Sequence, residues 1–269
     1  MHLVIENILN RKNKKVPVSD GRKIALVLFG GAMAGVRGGG ALFALNDLGL
    51  LYAFDEIYVT SAGFPNVSYM LSDDRQRGLS VYYQDLVNNR FINFWRIWKV
   101  VNVEYLMSVF KESKRIRVEK ILEGKTKVFV QLRNVDTGKI EYLEIHNFSV
   151  QGFFKLLEAS ISIPYLHPGS VKINGGRYMD AVGFLKDSSR HVRRAIDSGA
   201  TDILVIYNRA DQRTHDFDGE SIFEIVPPTG WKMSRFEKNS EVLKNEAQKM
   251  GELVKESFGE KGTIEIIYN

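Results

Sequence analysis

One serine stands where a short apolar run gives way to small residues, in the sequence VTSAG at residues 59–63. A serine in a sharp strand-to-helix turn can act as a nucleophile, and the close approach of strand and helix then requires small residues two positions before and after it. Gly63 meets this requirement, whereas Val59 does not. The alternative, which this segment alone favours, is that Ser61 caps the N-terminus of the following helix.

A second turn is rich in glycine, with Gly30, Gly31, Ala32 and Gly35 between an apolar run and a helical pattern. Glycines let the backbone turn sharply and direct several N–H groups to one point, where they bind a phosphate or an oxyanion. A P-loop would need lysine and then serine or threonine after the last glycine, and the spacing of a dinucleotide-binding loop is also missing. Only the glycines therefore support the hypothesis that this protein binds a nucleotide. The remaining alternative is a tight turn that binds no ligand.

A serine nucleophile needs a base. None of the histidines lies in a turn that we would identify as a site, so each is interpreted as a surface or packing residue; they are His2, His146, His167, His191 and His215. The search therefore moves to carboxylates. Asp180 lies in a glycine-rich stretch, residues 175–182, that is typical of a loop. A lone aspartate in a loop is normally a turn residue, so this segment alone does not identify a base.

The elements that must position these residues alternate along the chain. Short apolar runs predict buried strands at residues 24–29, 57–60 and 203–207, a hairpin at 127–135 and 140–145, and a final strand at 263–267. Helical spacing predicts helices at residues 41–48, 61–71, 153–159, 188–198 and 237–258. Strands that alternate with helices favour an α/β fold, in which a mainly parallel sheet is covered on both faces.

Composition narrows the class of protein. The apolar fraction of 44% and the charged fraction of 26% are ordinary for a globular chain, and cysteine is absent. The sequence lacks a long apolar run and a signal-peptide core, which favours a cytoplasmic protein. The net charge of +5 would suit an anionic membrane, while no nucleic-acid motif is visible. We expect residues 1–23 to form a basic arm and residues 24–269 one domain.

One segment combines aromatic and basic residues at helical spacing. Its members are Phe91, Phe94, Trp95 and Trp98, with Arg90, Arg96 and Lys99 beside them. A helix of this composition can lie in a lipid interface, with its aromatic residues at the acyl boundary and its cations on the headgroups. The pattern alone favours the simpler interpretation, in which the aromatic residues pack on the sheet.

Read together, these segments resemble the patatin-like phospholipase family, in its bacterial branch. That family has G-G-G/A-x-R-G after its first strand, G-x-S-x-G after its second, and D-G-G or D-G-A much later. Residues 30–35, 59–63 and 180–182 occupy these places in the same order, and the stretch ASISIPYLHPGSVKINGGRYMD before Asp180 is similar to the family sequence there. The likeness runs from the N-terminal arm to Lys238 and implies a three-layer α/β/α fold.

The resemblance also implies a mechanism. Ser61 would attack a lipid ester with Asp180 as its base, and backbone N–H groups of the glycine turn would hold the oxyanion, without a metal or a cofactor. Three departures from the family pattern stand in the motifs themselves: Ala34 replaces an arginine, Val59 replaces a glycine, and Ala181 and Val182 follow the aspartate. They keep open an alternative, a domain of the same fold that binds lipid or a protein partner and hydrolyses slowly or not at all.

Overall fold

The computed structural model describes residues 1–96, 99–167, 169–181, 188–217 and 219–265. The strands are β1 (Ile24–Leu28), β2 (Glu56–Thr60), β3 (Lys127–Asn134), β4 (Ile140–Glu144), β5 (Val171–Ile173), β6 (Gly176–Asp180), β7 (Asp202–Ile206) and β8 (Ile222–Ile225). The helices are α1 (Leu3–Leu9), α2 (Gly35–Asp47), α3 (Gly63–Leu71), α4 (Arg75–Ser80), α5 (Val103–Ser108), α6 (Val118–Leu122), α7 (Val150–Ile161), α8 (Ser189–Asp197) and α9 (Ser240–Ser257).

The strands form one mixed sheet whose centre is parallel. The order β3-β2-β1-β7-β8 is parallel throughout, whereas β4 and β6 pair with β3, and β5 with β6, in the antiparallel sense. The predicted strands at 24–29, 57–60 and 203–207 and the hairpin are thereby confirmed to within a residue or two. The predicted C-terminal strand is wrong in its described part, because residues 263–265 adopt no strand, and residues 266–269 lie outside the described part of the chain.

The sheet is buried on both faces, as the apolar runs predicted. In β1, Ile24, Leu26 and Leu28 belong to the larger hydrophobic cluster, while Ala25 and Val27 point to the smaller cluster on the other face. The larger cluster also takes side chains from α2, α3, α7 and α9, and the smaller one from α8. These contacts on both faces make the molecule a three-layer α/β/α structure, as the sequence predicted.

Two glycines in α2 allow close packing around its core. A Cβ atom on Gly40 would overlap the main chain of Ala247 in α9, and one on Gly38 would lie 2.9 Å from the Asn208 side chain. Because neither position has room for a larger side chain, α2 lies directly on α9 and on the segment after β7.

Part of the first 23 residues packs on this core. Val4, Ile5 and Ile8 of α1 are fully buried, and the buried Arg11 guanidinium donates to the carboxylates of Asp20 and Asp55, both at 2.7 Å. The fully buried charge is thus matched by two carboxylates, as a buried guanidinium requires. Among the described residues, no helix is both long and apolar enough to cross a lipid bilayer.

Candidate active site

The serine turn has a strained backbone, as a nucleophile elbow would require. Ser61 directly follows β2 and has a φ of 51°, in the left-handed region that costs a residue with a side chain free energy. The predicted alternative, a helix cap, is not what forms: α3 begins at Gly63, its N-cap residue is Ala62, and no side chain caps it. Val59 is a fully buried strand residue paired with Leu28 and Val130, so its larger side chain is accommodated in the core while the turn still forms.

The glycine turn lies directly against this serine. A Cβ atom on Gly30 would come closer than 3.0 Å to the Ser61 Cβ atom and would lie 2.8 Å from the carbonyl oxygen of Thr60. A Cβ atom on Gly35 would lie 2.7 Å from the Ala62 side chain. The two turns that the sequence singled out therefore meet, and glycine is required at their contact because any side chain would force them apart.

The backbone of the glycine turn leaves two N–H groups available. Gly31 and Ala32 have φ values of 149° and 52°, and residues 32–34 form a short 3-10 turn that leads into α2. The Met33 N–H donates to the Arg235 carbonyl at 3.2 Å and the Ala34 N–H to the Gly31 carbonyl at 3.0 Å. Within the described part of the chain, the N–H groups of Gly31 and Ala32 donate to no acceptor. Both are suited to binding an oxyanion.

Two side chains that the sequence analysis missed hold this turn in place. The buried Asn208 amide donates to the carbonyl of Phe29 and, at 2.9 Å, to that of Gly30, and Gln212 Nε2 donates to the same Gly30 carbonyl at 2.9 Å. Asn208 follows β7, which neighbours β1 in the sheet. The signal that could have found it is its place: polar residues just beyond the carboxyl ends of adjacent parallel strands converge at one edge of the sheet.

Arg37, one turn into α2, adds a second anchor. Its buried guanidinium forms an ion pair with Glu246 of α9 at 2.5 Å and donates to the carbonyls of Asn208 at 2.9 Å and Trp231 at 2.8 Å. Ala34, which stands where the family has an arginine, is fully buried in the 3-10 turn. Arg37 thus ties α2 to the segments that follow β7 and β8.

The predicted base ends a strand rather than lying in a loop. Asp180 is the last residue of β6 and is fully buried, which corrects the loop expected from the glycine-rich sequence around it. The reason is that the turn glycine, Gly175, only joins β5 to β6, so that the residues after it enter the sheet. Ala181 is fully buried, and Val182 lies outside the described residues.

The register of β3 places the ends of β2 and β6 together. β4 occupies one edge of β3 through residues 129–133, so β2 and β6 must share the other edge. On that shared edge Thr60 pairs with Gln131 and Asp180 pairs with the next residue, Leu132. The two strands therefore meet end to end, about one residue rise (roughly 3.3 Å) apart along β3. Ser61 leaves the sheet at the point where Asp180 ends β6.

Ser61 separates two cavities. One is a narrow apolar cavity of about 50 Å³ whose walls include Pro65, Tyr82 and Phe110. The other is a wider polar cavity of about 450 Å³ whose walls include Gln131, Arg209 and Arg235. Among the described residues, four line both cavities: Ala32, Ser61, Ile163 and Phe236. An ester bond held at Ser61 could direct an apolar chain to one side and a polar group to the other.

One histidine also lines the polar cavity. The ring of His191 stacks on Tyr142 and meets the edge of Phe29, and its nitrogens contact the Tyr142 hydroxyl at 3.3 Å and the Leu28 carbonyl at 3.4 Å. Burial lowers the pKa of His191 to about 4, so the ring is neutral at pH 7. It is a packing residue, as the sequence analysis interpreted it. Among the described residues, no cluster of three or more His, Asp or Glu side chains could hold a metal ion.

The aromatic segment is not a helix. Its described part, residues 91–96, runs through a turn in which Ile92 bridges Val101. Phe91 is buried, as packing on the core predicts, whereas Phe94 and Trp95 are 60% and 93% exposed. The prediction of a helix is therefore wrong here, because hydrogen bonds of Asn93 and Arg96 hold a turn instead. Trp98 lies outside the described residues.

Comparisons with known proteins place the chain in a family. Curated proteins give no match. The crystal structure of VipD from Legionella pneumophila is similar over 87% of this chain and 67% of that chain, at 11% identity and a TM-score of 0.47. The sequence model of the family described as patatin-like phospholipase matches residues 26–184, more than half of the chain, including Gly30, Ser61 and Asp180. The chain belongs to the patatin-like phospholipase family, which supports a lipid hydrolase function in general.

Proposed function

We propose that this protein is a serine acyl hydrolase that cleaves lipid esters, with Ser61 as its nucleophile and Asp180 as its general base. The observation that carries the proposal is the register of β3. Thr60, the residue before Ser61, pairs with Gln131, and Asp180 pairs with the next residue on the same edge, Leu132. This register supports the proposal because the ends of two strands whose residues are 119 positions apart in the chain then lie next to each other, and Gly30 packs against Ser61 there.

The reaction proceeds in two halves. The Ser61 hydroxyl attacks the acyl carbonyl carbon while its proton passes to the Asp180 carboxylate, and that proton then goes to the departing alcohol oxygen. The N–H groups of Gly31 and Ala32 hold the oxyanion, and each such donor is worth about 2.7–4 kcal/mol in other enzymes. Water then attacks the acyl carbon of the acyl-enzyme while Asp180 accepts its proton. The bond between the acyl carbon and the Ser61 oxygen breaks, Asp180 returns the proton to that oxygen, and the fatty acid leaves.

The two cavities fit the two parts of a lipid ester. The acyl chain enters the apolar cavity, whose present volume of about 50 Å³ must widen for a long chain, and the alcohol part occupies the polar cavity. Phe236, which lines both cavities, lies in the segment whose Arg235 carbonyl accepts from Met33. Movement of that segment would open both cavities together.

The departures from the family motifs do not remove the groups that the proposed chemistry uses. An oxyanion hole made of backbone N–H groups does not depend on the side chain at Ala34, and the turn at Ser61 has its strained φ despite Val59. The alternative is a domain of the same fold that binds lipid or a protein partner without cleaving an ester. Covalent labelling distinguishes the two, because only an activated serine reacts with a fluorophosphonate.

The test uses three variants. We expect the wild type to be labelled, Ser61→Ala to lose all labelling, and Asp180→Asn to be labelled about 10²–10⁴ times more slowly. Ser68→Ala is the matched control, because Ser68 is buried on α3 and its hydroxyl, among the residues that the structure describes, donates only to the Phe64 carbonyl of its own helix. Absence of labelling in a folded wild type would reject the hydrolase and favour the lipid-binding alternative.

We further propose that the rim of the cavities contacts an anionic membrane. Phe94 packs edge-on against Phe236 at 5.4 Å, which brings the exposed Trp95 close to the entrance. The turn that carries Tyr165, which is 88% exposed, is joined to this segment by the Val101 N–H bond to Leu166. Cations on the same rim, at Arg90, Arg96 and Lys238, would meet lipid phosphates.

Sedimentation with liposomes that contain phosphatidylglycerol tests this rim. Trp95→Ala combined with Tyr165→Ala should reduce the bound fraction severalfold, because both side chains would otherwise enter the acyl boundary. Ile196→Ala removes an exposed apolar side chain on α8 and serves as the control. Equal sedimentation of the double variant and the wild type would remove the rim from consideration.

A further inference from the structure

The outer edge of β4 is open. β3 occupies one edge of β4, and no other described strand pairs with β4. Antiparallel strands form hydrogen bonds at every second pair of residues, and the Asn134 N–H donates to the Lys139 carbonyl at 2.9 Å. Glu141 and Leu143 continue this series and bond to β3. Three residues therefore direct their backbone N–H and C=O groups away from β3: Ile140, Tyr142 and Glu144.

The side chain of Tyr142 connects this edge to α8. Its ring stacks on His191 of α8, and its hydroxyl contacts the Arg190 carbonyl at 3.4 Å. The guanidinium of Arg194 lies 5.8 Å from the centre of the same ring. Arg190 and Arg194 are one helical turn apart and therefore lie on the same side of α8, next to β4.

The side of the sheet that carries α8 has an excess of positive charge around β4. On β3, the side chains of Lys127 and Arg133 share a face with Phe129, which packs on the cluster beneath α8. Among the described residues of β3, β4 and α8 on this side, five are cationic and two are anionic. We call these seven residues the basic surface: Lys127, Arg133, Arg190, Arg193, Arg194, Glu144 and Asp197.

The arginines of α8 are available to a partner. Arg190 and Arg193 are exposed, while Arg194 is half-buried over the rings of Phe129 and Tyr142. Within the described part of the chain, none of the three forms an ion pair with a carboxylate. A guanidinium group binds a carboxylate through two parallel hydrogen bonds, so the basic surface suits an acidic partner.

An extended acidic polypeptide fits both the open edge and the charge. The unpaired N–H and C=O groups of an edge strand can be satisfied by another strand, whereas the interior of a lipid bilayer offers them no partner. A second copy of this chain could pair β4 with β4 about a two-fold axis. That pairing would bring the arginines of both copies together, where like charges repel each other.

We propose that β4 and the basic surface bind an extended acidic segment of a partner protein, which adds to the sheet as a further strand. The added strand would lie about 4.8 Å from β4, with its residue opposite Tyr142 on the same face as Arg190 and Arg194. An acidic residue is expected there and at every second position, with apolar residues between them on the face of Leu143. The binding requires no catalysis and is therefore independent of the proposed hydrolase function.

The first experiment measures binding of a short fluorescent peptide, in which glutamate alternates with valine, by fluorescence anisotropy. The wild type should bind a version with lysine in place of glutamate about tenfold more weakly, or weaker still. Arg190→Glu should weaken binding of the glutamate peptide by about tenfold or more, because a charge-assisted contact becomes a repulsion. Arg115→Glu is the matched control, since it changes the net charge equally and Arg115 is 60% exposed outside the basic surface. Equal affinity of the wild type and Arg190→Glu for the glutamate peptide would overturn the proposal, as would absence of binding.

The second experiment tests strand addition with the protein unchanged. N-methylation removes a backbone donor, and only every second residue of an added strand directs its N–H group towards β4: the glutamates in an antiparallel complex and the valines in a parallel one. Methylation of one set should abolish binding, whereas methylation of the other set should have a much smaller effect. Equal affinities of the two methylated peptides would show that the edge is not used and would overturn the proposal.

Two other occupants would be recognised by their own signals. Sedimentation with phosphatidylglycerol liposomes that is lost in Arg190→Glu, without binding of the peptide, would assign the basic surface to a membrane. A dimer in sedimentation velocity that the glutamate peptide dissociates would assign β4 to a second copy of this chain. Either result would overturn the proposal, whether or not the protein cleaves esters.

Discussion

Replacing Gly30 by alanine probes the contact on which the proposed active site depends. The φ of Gly30 lies outside the left-handed region, so alanine is allowed at this position and only space is at issue. The added Cβ atom would lie 2.8 Å from the Thr60 carbonyl oxygen and closer than 3.0 Å to the Ser61 Cβ atom. Both neighbours belong to the serine turn, so no flexible side chain can move away.

The size of the effect follows from the distances. Ordinary contact begins near 3.4 Å, so the oxygen of Thr60 must recede by about 0.6 Å and the Ser61 side chain by more. An error of about 1 Å between a nucleophile and its oxyanion donors costs about 10²-fold in rate, or about 2.7 kcal/mol of activation free energy. Overpacking of this kind also lowers the free energy of unfolding by about 1–3 kcal/mol.

The assay is hydrolysis of p-nitrophenyl butyrate, together with the rate of fluorophosphonate labelling and urea unfolding. We expect kcat/KM to fall about 100-fold in Gly30→Ala. The fall should be smaller in Gly63→Ala, where the nearest atom is 3.0 Å away, and absent in Gly230→Ala, where no atom lies within 4 Å. A folded Gly30→Ala protein with activity within threefold of the wild type would refute the reasoning.

Three further predictions concern the surroundings of the site. The pKa of His191 is about 4 in the folded protein and about 6.5 in the unfolded chain, so the free energy of unfolding is highest above pH 6.5 and falls by about 3 kcal/mol as the pH drops towards 4. His191→Gln should flatten the plot of the urea midpoint against pH in this range, and an unchanged slope would contradict the prediction. Arg37→Met should lower the free energy of unfolding by about 3 kcal/mol, because the buried Glu246 then keeps only its pair with the more exposed Lys249 at 3.3 Å. The double variant with Glu246→Leu should recover most of this loss, and a loss under about 1 kcal/mol would count against the pair. Asn208→Ala should lower kcat about tenfold with little change in KM, because its amide holds the Gly30 carbonyl; a change in KM alone would show that Asn208 contacts substrate instead.

The local sequence was enough to predict the strands and helices in which apolar residues follow a clear pattern. The continuous apolar run at residues 24–29 predicted a strand buried on both faces, and β1 is such a strand because parallel strands here are covered by helices. The prediction of a helix in the aromatic segment was wrong. The helical spacing of Phe91, Phe94 and Trp95 does not reveal that neighbouring asparagine side chains stabilise a turn. The short strands β5 and β6 were missed because glycine and a turn dominate their sequence.

The sequence predicted which residues belong to the candidate site, but not how those residues lie relative to one another. Ser61 and the glycine turn were recognisable from small residues at the ends of predicted strands, and Asp180 from its place in the family pattern. Asn208, Gln212 and the arginines of the polar cavity were not, because their importance arises only when the segments after β7 and β8 fold over the glycine turn.

The sequence by itself determined which residues could carry the chemistry and that apolar runs would form a sheet covered on both faces, since burial of those runs is favourable in any compact arrangement. Only the tertiary structure decided that β2 and β6 share one edge of β3, which brings Asp180 to the end of the strand before Ser61. Strand pairing between distant segments depends on hydrogen bonds across the sheet, and no local spacing along the chain encodes them.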